Sequence, residues 1–296
     1  MIGVRLGRIN SEFTTEMSFM ALPISYSSED IVFIRQRILK GDVPQHLYKY
    51  RSIDSVKQLL ENHKVYFSNC KEFNDPFESA INILSDYTPQ QYYESFIFGD
   101  MTPEVSKELT RQIVCGIIDV ETLLKQLTKN VISSVGYYCM TTKPDNLLMW
   151  AHYGDSHKGV CLKFDILKDI DTFLVPVPVD YNEHYIDFNM LSSDLLSVLR
   201  RKSPEWKYED EYRIIKTDYQ GLWEIKTDCL VEIIFGCRTS EEDKKEIKKL
   251  AISSGFTNVK FSEARMKKDS YGLEIRGEDI KRIDKRYGNE DTSYKE

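Results

Sequence analysis

Four short runs hold the side chains with which this chain could do chemistry. The most charged is Pro204-Glu205-Trp206-Lys207-Tyr208-Glu209-Asp210-Glu211-Tyr212-Arg213. On a strand, Glu209, Glu211 and Arg213 alternate onto one face. Like charges so spaced repel unless a cation or a substrate compensates them. Arg213 with a distant Lys49 or Arg51 could do so. The run then reads either as a catalytic carboxylate with a second one beside it, or as an edge-strand ion network.

The run His46-Leu47-Tyr48-Lys49-Tyr50-Arg51 is strand-like and puts Lys49 and Arg51 on one face, Tyr48 and Tyr50 on the other. Two neighbouring cations suit a phosphate or pyrophosphate, and they equally suit a solvated sheet face. In Asn74-Asp75-Pro76-Phe77-Glu78, the two carboxylates could bind a metal or orient an arginine. A helix start with Asp75 as N-cap, Pro76 at the first position and Glu78 at the third explains the same residues. In the run Leu147 to Cys161, LLMWAHYGDSHKGVC, Trp150, His152, Tyr153 and His157 surround one Gly-Asp-Ser turn. Aromatic rings around a turn suit a ligand pocket, because they stack on bases or nicotinamide. Hydrogen-bonded structural histidines are the competing account.

The elements that must position these runs follow from hydrophobic spacing. Helices are expected over Glu29–Leu39, Ser52–Asn62 and Asn146–Tyr153, over residues 187–202, and over Thr239–Ser254 with Thr239 and Glu242 as a capping box. Strands are expected at 46–51, 64–68, 135–141, 159–164, 211–217, 230–235 and 258–262, with an extended edge segment at 173–181. Residues 88–134 read as a helical insertion. No internal repeat or linker is visible. The expectation is an α+β fold: a single domain at 46–265 with a small mixed or antiparallel sheet flanked by helices. An arm and helix at 1–45 and a charged tail at 266–296 complete it.

Composition narrows the functions. With 40 basic and 47 acidic residues the net charge is −7, which disfavours broad duplex nucleic-acid binding. The 18 Tyr, 14 Phe and 3 Trp are too many to leave in water, so the chain must fold. No apolar run approaches a membrane span, so no membrane contact is expected. Six cysteines lack C-x-x-C spacing, and Cys115, Cys139 and Cys161 read as small core residues. A cytoplasmic location is expected. Phosphate loops, dinucleotide fingerprints, nucleophile elbows and H-E-x-x-H are absent.

The order LYKYRS, NDPFE, LLMWAHYGDSHKGVC, EWKYEDEYR resembles the bacterial domain-of-unknown-function family numbered 2971, over about Leu47 to Leu250. That resemblance implies no activity. The order of residue types is also similar to that of ADP-ribosyltransferases: Arg51 on an early strand, Thr141-Thr142 after a middle one, Glu209-x-Glu211 opening a late one. It departs from them in lacking a Ser-Thr-Ser triplet. This similarity implies an NAD-consuming transferase or glycohydrolase with NAD as substrate. Lys49 and Arg51 would hold the pyrophosphate, Tyr50 or Trp150 the nicotinamide, with His152, Tyr153 and Arg213 near the cofactor. Glu211 would stabilise the oxocarbenium-like transition state and Glu209 would orient a protein or nucleic-acid acceptor. Asn74, Asp75, Glu78 and His157 are further candidates, and no resident metal is expected. Such an enzyme suits a toxin or phage-defence effector. Two alternatives stand beside it. One is a metal-dependent nuclease or phosphoesterase using Asp75, Glu78, Glu209 and Glu211. The other is a non-enzymatic sensor or interaction module in which these groups are paired and closed off from solvent.

Overall fold

The computed structural model describes residues 5–6, 19–20, 28–84, 86–98, 101–173, 175–188 and 195–277. The chain contacts group into two compact units, each assembled from three stretches of sequence. The first takes 1–37, 65–139 and 175–223, and the second 38–64, 140–174 and 224–296.

In the second unit a run of strands lies in the order Leu273–Gly277, Lys260–Met266, Leu230–Phe235, Val160–Asp165, His46–Arg51. His46–Arg51 runs antiparallel to Val160–Asp165, with Tyr50 opposite Cys161, and its Tyr48 pairs with Thr141. Only Leu230–Phe235 and Lys260–Met266 pair in parallel within this run. The strands are apolar on successive residues, as a sheet covered on its faces requires: Val160, Cys161, Leu162 and Phe164 are all fully buried. The helix Ile53–Asn62 buries Val56, Leu59 and Leu60 and is capped by the Ser52 side chain. The helix Glu241–Ser253 buries Ile247 and Ala251. Its cap is Ser240, whose side chain accepts from Asp243, rather than the expected Thr239. Thr239 instead donates its hydroxyl to the Gly159 carbonyl at 2.8 Å.

In the first unit residues 136–139 of the strand Gly136–Thr141, then Glu211–Lys216 and Val177–Pro178, are neighbours in that order. Helices and a mostly antiparallel set of strands bear out the α+β class. The insertion is helical as expected, with helices at Pro89–Phe98, Pro103–Val114 and Val120–Ser134. The helix expected over 187–202 is not formed as such. Ile186–Phe188 pairs with Ile81–Ile83, Leu195–Leu199 is a short helix, and Arg201–Lys202 pairs with Asp180–Tyr181. The core of this unit gathers Ile132, Val135, Tyr137, Phe188, Val198 and Leu199. Cys161 is buried as expected and Cys139 half-buried, but Cys115 is exposed, because it caps the end of the Pro103–Val114 helix.

In the N-terminal arm, Arg5–Leu6 pairs with Phe19–Met20. Of the charged tail expected at 266–296, Leu273–Gly277 is a strand paired antiparallel with Lys260–Met266, because its alternating Leu273 and Ile275 suit a sheet edge, and residues 278–296 lie outside the described residues. Among the described residues, no helix is long and apolar enough to cross a membrane.

Candidate functional site: a buried carboxylate–cation cluster

Two of the four runs meet in the first unit. Pro204–Glu209 forms a 3-10 helix rather than a strand, and Asp210 reverses the chain in a left-handed conformation, φ 47°. Glu211–Lys216 then enters the sheet. Glu211 and Arg213, two residues apart, share a face, and Arg213 Nε donates to Glu211 Oε1 at 2.9 Å. Glu209 reaches the same cluster from the 3-10 helix. Its partner is Lys202, whose Nζ lies 2.5 Å from Glu209 Oε2 and 3.0 Å from Glu211 Oε2.

Glu78 arrives from the NDPFE run. Asp75 does not start a helix there. It forms an Asx-type turn, its Oδ1 accepting the Phe77 amide and its carbonyl accepting the Glu78 amide. The turn aims Glu78 at Arg213, and the pair is bidentate: NH1 to Oε1 at 2.6 Å, NH2 to Oε2 at 2.9 Å. The remaining NH1 hydrogen goes to the Leu199 carbonyl at 2.7 Å, and NH2 also approaches Glu211 Oε2 at 3.5 Å. All five donors of the guanidinium are therefore committed. The rings of Phe73 and Tyr137 lie 5.7 and 5.5 Å from its carbon, and Trp206 presents its ring 4.8 Å from Lys202 Nζ.

The cluster is closed. Glu209, Glu211, Lys202 and Arg213 are 3%, 5%, 7% and 0% exposed. Burial alone would raise the Glu211 pKa. Arg213 and Lys202 outweigh it, and with the Cys139 thiol they hold the carboxyl well below its ordinary range. Burial would likewise lower Lys202, and Glu211 and Glu209 raise it instead. Lys202, the second compensating cation, is not visible as a candidate from the sequence. It sits in a run whose spacing predicts helix, and Lys49 and Arg51 take its role in that reading.

The other two runs belong to the second unit, as do Lys49, Tyr50 and Arg51. Tyr50 and Trp150 are buried and pack edge to face, with centroids 5.0 Å apart. Their polar tips are used internally: Tyr50 Oη donates to the Lys143 carbonyl at 2.7 Å, and Trp150 Nε1 to the Pro144 carbonyl at 2.9 Å. Neither ring face is offered to a nicotinamide. His157 stacks on Trp150 at 6.4 Å, and burial and Arg238 lower its pKa. His152 is exposed and meets Tyr153 edge-on at 6.2 Å. Asn74 is exposed. Among the described residues, no group of three or more His, Cys, Asp or Glu side chains is placed to hold a metal ion.

The fold and cluster define an α+β protein in which three motif carboxylates and two cations form one buried network. The family model described as "Protein of unknown function (DUF2971)" matches residues 149–214, from Met149 through the strand that carries Glu211 and Arg213. The family resemblance read from the motifs is borne out over that stretch. No curated protein and no solved structure matches the chain.

Proposed function

We propose that this protein works by binding, as a sensing or interaction module, and that its motif carboxylates hold the fold rather than perform covalent chemistry. The observation that carries this reading is the closed cluster: Arg213 has no donor left, and Glu78 and Glu211 spend both their oxygens on Arg213 and Lys202. A carboxylate that stabilises an oxocarbenium-like centre must touch the ribose, and one that supports a metal must offer a lone pair to it. Glu211 here offers neither without breaking a buried ion pair, which is costly. The internal use of Tyr50 and Trp150 weighs in the same direction.

The test is turnover by the purified chain. NAD would be followed for nicotinamide release, and nucleic acid with Mg²⁺ for cleavage, each with and without EDTA. The expected result is no turnover in either assay. Turnover by wild type that is lost in a folded Glu211→Gln variant would overturn the reading.

A further inference from the structure

The first unit contains a cavity of about 410 Å³ beside the cluster, within the size range of small-ligand sites. Its apolar wall is Ile81, Ile83 and Ile132. Lys125, Lys129 and Ile132 follow at spacings of four and three on the helix Val120–Ser134, so they line one face. Lys71 approaches from the short turn Cys70–Glu72.

The charge around this space is positive. Glu78 lines it, but Arg213 neutralises that carboxylate. Lys125 pairs with Glu121 on its own helix. Lys71 and Lys129 have no ion pair among the described residues. Ser79 and Ser133 also line it, and the Ser133 hydroxyl donates to the Asn130 carbonyl. Ser79 is 8% exposed, and its buried Oγ faces the Tyr137 hydroxyl. Its backbone is held at φ 59°, a conformation unfavourable for a residue other than glycine.

We infer that this cavity binds a small amphipathic anion: an apolar body against the isoleucines and one carboxylate or phosphate head at Lys71 and Lys129. This rests on the binding reading above and names its ligand class. A nucleic-acid chain is too large for the space, and a fully polar anion would leave the isoleucine wall unused.

Calorimetric titration of the full chain with octanoate, octyl phosphate and 1-octanol tests this. One or both anions are expected to bind about tenfold or more tightly than octanol. Which anion binds better decides between carboxylate and phosphate. Lys71→Gln with Lys129→Gln, both at exposed positions, is expected to weaken anion binding about tenfold and leave octanol unchanged. Ile83→Trp, which fills the space, is expected to remove binding of every probe while the melting transition is retained. Equal affinity for octanol, no effect of the lysine pair, or no binding at millimolar concentration would overturn the inference. Glu211-dependent NAD turnover would overturn the proposed function and leave the cavity's binding to stand or fall by the titration.

Discussion

Arg213 concentrates the energetics of the first unit in one side chain. It is fully buried, flanked by two aromatic rings, and shared between Glu78 and Glu211. Arg213→Met would leave both carboxylates buried without their main counter-ion. A loss of about 3–5 kcal/mol of stability is expected, read from urea unfolding. The pH dependence follows from Glu211. Its folded pKa is held below the unfolded value of about 4.3. Its stabilising contribution is therefore complete above that value and is lost as pH falls toward the folded pKa. Glu211→Gln should be less stable than wild type at pH 7 and should lose less stability between pH 5 and 3, measured by melting temperature. Glu209 and Glu211 were legible as like charges in need of a cation, with Arg213 beside them, and Glu78 was legible separately as a carboxylate that could orient an arginine. Lys202 was not. Its run carries apolar spacing, and nothing local shows that the chain turns back beside Tyr181.

Elements explain the other long motif. The helix Leu147–Tyr153 ends at Gly154, and three successive residues without glycine, Asp155, Ser156 and His157, take φ of 48°, 53° and 70°. This turn delivers the chain to Gly159, where a Cβ would lie 2.2 Å from the Arg51 carbonyl oxygen. Gly236 is constrained equally, a Cβ there falling 2.2 Å from the His157 carbonyl oxygen. Both obstacles are backbone, so neither can move aside cheaply. Gly159→Ala is expected to destabilise the second unit severely, by more than about 2 kcal/mol, with loss of soluble expression as the readout. Ser156→Gly relieves one left-handed residue on the surface and should raise stability by about 0.5–1 kcal/mol in a thermal melt. Strands such as His46–Arg51 and Val160–Asp165 were legible because their composition is strongly β-favouring. Residues 187–202 were misread because strands of two or three residues carry too few side chains to show a period.

At the scale of the whole molecule, the sequence shows no linker because none of the compact units is continuous. Each unit takes segments from both halves of the chain. The strand His46–Arg51 pairs with Val160–Asp165 more than a hundred residues later, so chain order hides the grouping. A fragment of residues 140–296 lacks that strand and the helix Ile53–Asn62, and should fail to fold. Circular dichroism without a cooperative melt is the expected result, and a native-like melt would contradict it. The family resemblance was legible from motif order alone, whereas the roles of the motif residues needed their partners in space.

The buried charges of Glu78, Lys202, Glu209, Glu211 and Arg213 hold the fold of the first unit. The most direct measurement is a double-mutant cycle in urea over Glu211→Gln and Lys202→Met. Each single change is expected to lower stability by about 3 kcal/mol or more, and the double variant to lose clearly less than their sum. If Glu211→Gln instead leaves the protein as stable as wild type or more so, as replacing a carboxylate kept for catalysis at the expense of stability does, the claim is contradicted.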